Sequence, residues 1–149
     1  MKPKYAVRFD RTIGRAFYRV HRWMYEATGG RLGHQTPEGP MLVLTTKGRK
    51  TGTARSSVLL YMPDGADYIV VGSNGGRPEA PAWLLNLQAN PDVEVRVARE
   101  RFRARAVVLT GAERDAIWPR LAQHYKGWDH YRTLTDRPIH PVRLVRSHP

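Results

Sequence analysis

Met41-Leu42-Val43-Leu44-Thr45-Thr46 runs into Lys47-Gly48-Arg49-Lys50-Thr51-Gly52-Thr53-Ala54 and leaves through Arg55-Ser56-Ser57-Val58-Leu59-Leu60-Tyr61-Met62. Two apolar runs flank a short polar bend that contains glycine, the pattern of two antiparallel strands joined by a turn. The bend carries four cations in nine residues: Lys47, Arg49, Lys50 and Arg55. Cations on a tight bend face outward together and can meet several anionic oxygens at once. Threonine hydroxyls and free backbone N–H groups add neutral donors. Such a loop suits a phosphate or a chain of carboxylates; a hairpin turn with solvated charges is the plainer alternative.

The strand pattern continues on both sides. Pro63-Asp64-Gly65-Ala66-Asp67 turns the chain into a third strand over 68–73. A second glycine-rich loop, Ser73-Asn74-Gly75-Gly76-Arg77-Pro78, follows. Pro81 opens a short helix that Asn90-Pro91 stops. Alternating residues predict strands over 93–97, 102–109 and 142–146, with a helix over 114–124. Residues 125–138 are polar and rich in aromatics, and show no clear period. Upstream, Ile13, Phe17, Val20 and Met24 recur at helical spacing beside Ala16 and Trp23, with Arg11, Arg15, Arg19 and Arg22 between them. Gly29-Gly30 ends this basic amphipathic helix. Its simplest reading is an apolar stripe packed on a barrel; a helix lying on an anionic membrane is the alternative. The order predicts an α+β, mainly β fold: a small split or closed barrel of about six mostly antiparallel strands with peripheral helices. Residues 1–28 are expected to form the N-terminal helical unit and 29–149 the barrel.

Bulk properties narrow the function. The chain has 149 residues, 41% of them apolar, enough for one domain with a real core. Cysteine is absent, which excludes disulfides, thiolate metal sites and a cysteine nucleophile. No apolar run approaches a membrane span and no secretory signal is evident, so a cytoplasmic setting is expected. A net charge of +12 attracts polyanions without choosing among them. Gly48-Arg49-Lys50-Thr51 is not a Walker A loop, and no Rossmann fingerprint or nucleophile elbow is present. The six histidines are scattered, and no metal site is expected.

Thr45-Thr46-Lys47-Gly48-Arg49-Lys50-Thr51-Gly52, with Arg55 three residues on, resembles the signature of the deazaflavin-dependent nitroreductase family. Its members are actinobacterial and related oxidoreductases that use coenzyme F420, an 8-hydroxy-5-deazaflavin with an anionic tail. Ser73-Asn74-Gly75-Gly76 followed by Trp83-Leu84-Leu85-Asn86-Leu87-Gln88-Ala89-Asn90-Pro91 resembles the family's second block. The resemblance implies a split β-barrel. It implies that Lys50 and Arg55, assisted by Lys47 and Arg49, bind the phosphate and glutamate parts of the tail. Ser73, Asn74, Trp83 and Asn86 are expected near the deazaflavin ring. Two departures stand out: Val58-Leu59 where relatives often have Pro-Leu, and Leu84-Leu85 where many have Tyr-His. Tyr125, Trp128 and Tyr131 match an aromatic segment that covers the substrate side in relatives.

The implied activity is hydride transfer from reduced F420 to a planar apolar acceptor: a quinone, nitroaromatic or enone. Tyr125, Tyr131, Ser73 or solvent would supply the proton. A quinone in the membrane would suit the N-terminal helix, with the protein peripheral on the inner membrane face. The rival readings are a binder of FAD, fatty acid or haem on the same fold, and a basic nucleic-acid-binding module. Against the latter, the cations do not form a stripe with aromatic stacking platforms, so no specific nucleic-acid partner is expected.

Overall fold

The computed structural model describes residues 11–147, with side chains from residue 19 onward. Helix α1 (Arg11–Ala27) precedes strands β1 (Gln35–Thr36), β2 (Gly39–Lys47), β3 (Ala54–Leu60), β4 (Met62–Asp64) and β5 (Asp67–Val71). A single 3-10 turn (Asn74–Gly76) leads to α2 (Ala82–Ala89), β6 (Asp92–Val97) and β7 (Glu100–Val108). Helices α3 (Gly111–His124) and α4 (Lys126–Arg132) come before the last strand, β8 (Pro141–Arg146). The expected strands are all present. The two short ones, β1 and β4, bring the sheet to eight.

Every pairing is antiparallel, in the order β3-β2-β6-β7-β8-β5-β4, with β1 extending the start of β2. Strands β3 and β4 therefore occupy opposite edges, yet only Tyr61 separates them in the chain. One residue spans only about 7 Å between its neighbours' α-carbons. The sheet must curl until its two edges meet, and the unpaired seam at Tyr61 is the split in the barrel.

Alternation puts one side of each strand inside. Leu42, Leu44, Val70, Val95, Val142 and Leu144 are fully buried there. Trp83, Leu84 and Leu87 of α2 join the same cluster and close the barrel. A second core lies outside the sheet, where Ile117, Trp118, Leu121 and Trp128 cover Met62, Ile69 and Val71. Asp64 fastens this layer, accepting from Arg120 of α3 at 2.9 Å and from Arg143 of β8 at 2.7 Å. The Arg143 and Arg120 guanidinium groups hold its carboxyl below the ordinary carboxylate range.

Where its side chains are described, from Arg19 onward, helix α1 docks through Tyr25. Fully buried Tyr25 packs on Val43 and Val58, on the outer face of β2 and β3. Its hydroxyl donates to the Met41 carbonyl at 3.0 Å and accepts from the Ala98 N–H at 2.7 Å. Arg22 donates to the Ser56 carbonyl. By contrast, Val20 and Trp23 of the apolar stripe are 56% and 68% exposed. Tyr25 lies about 200° around the helix from Trp23. At these positions the helix meets the barrel through its tyrosine side, with Val20 and Trp23 exposed and Met24 half-buried. Ile13, Ala16 and Phe17 lie outside the described side chains.

Candidate active site

Lys47 closes β2 opposite Ala54, which leaves residues 48–53 as the bend. The bend braces itself. Gly48 N–H donates to the Thr53 carbonyl at 2.8 Å, Gly52 N–H to the Gly48 carbonyl at 2.8 Å, and Thr53 N–H to Thr51 Oγ1 at 3.2 Å. Lys47, Arg49, Lys50 and Arg55 are all exposed. Among the described residues, no carboxylate pairs with any of them. Like charges held on one bend repel, and an oligoanionic ligand relieves that repulsion. An open groove of about 800 Å³ borders the bend, lined by Lys47, Gly52 and Ala54 on one side and Glu94 and Arg103 on the other.

Asn86, 4% exposed, ties this bend to α2. Its Oδ1 accepts from the Arg49 backbone N–H at 3.2 Å and from Arg49 Nη1 at 3.0 Å. Its Nδ2 donates to Thr46 Oγ1 at 3.2 Å. The Asn86 amide is thus committed to holding the loop, and Arg49 is partly committed with it. Trp83 lies one turn earlier and is 7% exposed, its ring packed among the barrel core. Next to it, Leu84 rests on the bare α-carbon of Gly72. Helix α2, about 12 Å long, therefore connects the cationic bend at one end to the glycine-rich loop at the other.

The glycine-rich loop is held from a third direction. Arg137 donates from Nη1 to the Gly72 carbonyl at 3.0 Å, from Nη2 to the Ser73 carbonyl at 2.8 Å and from Nε to the Arg77 carbonyl at 3.0 Å. Ser73 is buried; Asn74 adopts a positive φ of 47° and donates from Nδ2 to the Glu79 carbonyl at 2.9 Å. At Gly76, a Cβ would sit 2.9 Å from Leu134 Cβ and 3.1 Å from the Tyr131 carbonyl. Glycine lets the chain leaving α4 come this close. Ser73 and Asn74 consequently share a junction with Tyr131.

Tyr125, Trp128 and Tyr131 do not present one face. Tyr125 precedes α4 in extended conformation (φ −145°, ψ 108°). Its ring folds back over Gly127, where a Cβ would lie 2.3 Å from the ring carbon Cζ. This brings its hydroxyl to 3.4 Å from that of Tyr131. Trp128 is 3% exposed; it stacks on His124 and takes the edge of Tyr125 at 5.5 Å. The result is two adjacent phenols on an indole floor. The hydrogen bond with Tyr131, then burial, pushes the Tyr125 phenol up to about 12. It stays protonated at neutral pH and remains a donor.

Sequence reading missed Arg137 and Gly127. An arginine in an aperiodic stretch carries no local signal, and Gly127 gains meaning only from the Tyr125 ring above it. A metal-binding group of histidine and carboxylate is absent among the described residues.

The family described as F420H(2)-dependent quinone reductase matches residues 17–146. An F420H(2)-dependent quinone reductase of Mycobacterium tuberculosis is 38% identical over 141 residues, 92% of this chain and 95% of that one. The solved structure of the F420-H2 dependent reductase FDR-A is 33% identical, with a TM-score of 0.65 over 70% of this chain and 93% of that one. A domain-swapped dimer is 28% identical, with a TM-score of 0.68 over 89% of this chain and 98% of its own. A split-barrel frame, a bend with four exposed cations and agreement along most of the chain converge on one assignment: this protein belongs to the F420H(2)-dependent quinone reductase family and is an F420H(2)-dependent reductase with F420 as its coenzyme.

Proposed function

We propose that the chain reduces a planar apolar acceptor, a quinone ahead of a nitroaromatic or an enone, with the coenzyme tail on the cationic bend. The observation that carries this reading is the bend itself: four exposed cations with no carboxylate partner among the described residues, fastened by Asn86 to the helix that also reaches the glycine-rich loop. Lys50 and Arg55 bind the phosphate and glutamate groups of the tail, and Lys47 and Arg49 assist. Ser73 and Asn74 face the ring. Trp83 offers it an edge, and Asn86 serves it indirectly by holding the bend.

When bound, the reduced deazaflavin supplies a hydride, because carbon replaces nitrogen at its position 5. The protein's contribution is placement. Tyr125 and Tyr131 meet the acceptor's oxygens from a site floored by Trp128, and their hydroxyls donate toward them. Ser73 or water can complete the proton transfer. Hydride plus proton converts a quinone to its quinol.

The exposed stripe of α1 supports a place for the acceptor. Val20, Trp23 and Leu32 are exposed beside Arg19 and Arg31. Apolar and cationic groups on one surface match an anionic bilayer. No helix among the described residues is long and apolar enough to cross a membrane. The proposed contact is therefore peripheral, on the cytoplasmic face, where a lipid-dissolved quinone is within reach.

Two assays test these readings. Purified chain mixed with reduced F420 and menadione should return oxidised coenzyme at a rate proportional to protein; no turnover with any quinone refutes the acceptor. Flotation with anionic liposomes should retain the chain and lose Trp23→Ser, whereas equal recovery of both refutes the membrane contact.

A further inference from the structure

We propose that Arg137 is a positioning residue for hydride transfer, fixing the separation between the coenzyme-facing loop and the acceptor-facing helix. The inference rests on the coenzyme placement proposed above. Arg137 lies in the connector between α4 and β8, and its backbone N–H is itself held by Thr135 Oγ1 at 3.3 Å. From there one guanidinium reaches three carbonyls of the glycine-rich loop, those of Gly72, Ser73 and Arg77. The end of α4 is fixed in turn: Thr133 N–H and Oγ1 both donate to the His130 carbonyl, and Leu134 N–H donates to the Tyr131 carbonyl at 3.1 Å. Tyr131 and Arg137 thus belong to one braced segment.

Ser73 and Tyr131 face the two partners of the reaction from opposite elements. Arg137 and the bare Gly76 contact both join those elements. A guanidinium suits this role because its donors are fixed in a planar fork; an ammonium is a rotatable point charge. Hydride transfer is sensitive to misplacement on the scale of an ångström, so loosening this joint reaches the chemistry before it reaches binding.

The test uses the full chain with Arg137→Lys and Arg137→Ala. It reads single-turnover oxidation of bound reduced F420 by menadione, the coenzyme dissociation constant and the melting temperature. Arg137→Lys is expected to keep the dissociation constant within about threefold while the single-turnover rate falls about tenfold or more. Added guanidinium ion should restore part of the rate of Arg137→Ala. Gly76→Ala, which opens the same joint with Arg137 intact, should also slow the single turnover. Parental rates within about twofold in both Arg137 variants would overturn the proposal. So would a rate loss no larger than the loss of coenzyme affinity, or failure of Arg137→Lys to fold, since the residue would then serve binding or stability alone. Parent chain that does not oxidise reduced F420 would instead remove the underlying reading.

Discussion

The cationic bend and the aromatic junction, the two ends of the proposed site, are built on opposite principles. The bend, residues 47–55, is mostly local: apart from Arg49, which also donates to Asn86, its hydrogen bonds run among Gly48, Thr51, Gly52 and Thr53, and among the described residues its exposed charges have no carboxylate partner. The junction is assembled from distant segments. Arg137 reaches back to Gly72 and Ser73, Tyr125 folds over Gly127, and Trp128 sits in a core shared with α3 and β5. An electrostatic grip tolerates looseness, because charge acts at range. Placement for hydride transfer does not, so under the proposed function the braced junction suits the acceptor and the open bend suits the tail.

That contrast can be attacked first at its electrostatic end. Lys50→Ala with Arg55→Ala should weaken F420 binding about 100-fold or more, at roughly 1.5–3 kcal/mol for each charge-assisted contact. The melting temperature should barely move, because both side chains are exposed. Fluorescence titration measures the first and a thermal scan the second; affinity within twofold of the parent would place the tail elsewhere.

The link between the two ends comes next. Asn86→Ala strands the buried Thr46 hydroxyl and frees Arg49. Denaturant unfolding should show a loss of roughly 2–3 kcal/mol, the cost of unsatisfied buried groups. Coenzyme affinity should fall less than in the double variant. A stable Asn86→Ala chain would mean that α2 does not anchor the bend.

Gly127→Ala should break the junction while leaving the bend alone. The added methyl displaces the Tyr125 ring. We expect KM for menadione to rise about fivefold with the coenzyme dissociation constant unchanged. In the parent, the Tyr125 phenol sits up at about 12. Its ionisation should add no alkaline limb to the pH–rate profile below about pH 11. A limb near pH 9 that Tyr125→Phe abolishes would contradict that.

The smallest effect concerns neither end and serves as a control. Asp64 is held below its ordinary value of 3.8 by Arg143 and Arg120. A depressed carboxyl stabilises the fold above its unfolded pKa, and that stabilisation disappears as pH falls through the folded value. The melting temperature should therefore drop more steeply below about pH 4 in the parent than in Asp64→Asn. Parallel curves would deny Asp64 its role, and catalysis at neutral pH should be the same in both.

How much of this was legible follows the same division. Strands β2, β3 and β5 read as short apolar runs bounded by turns, and β6, β7 and β8 largely alternate, so their existence and order follow from the sequence. Strands β1 and β4, with two and three residues, are too short to show a period. The cationic bend is readable because its structure and its charge are both local. Helix α4 is not: it starts after an extended tyrosine, and Trp128 is its only buried apolar residue. Arg137 is one of 25 Lys and Arg residues, and only the fold brings it to a loop some sixty positions earlier. In α1 the apolar spacing says nothing of Tyr25, whose hydroxyl bonds twice to the barrel and fixes the described end of the helix.

The most direct test of the site as a whole is a salt-dependent titration comparing F420 with its tail-less deazaflavin chromophore on the same protein. Neutralising contacts at the bend predict that F420 binds much more tightly at low salt and that its advantage shrinks steeply as salt rises, with the chromophore nearly indifferent. Equal affinities at every salt concentration would contradict the assignment of the tail to Lys47, Arg49, Lys50 and Arg55.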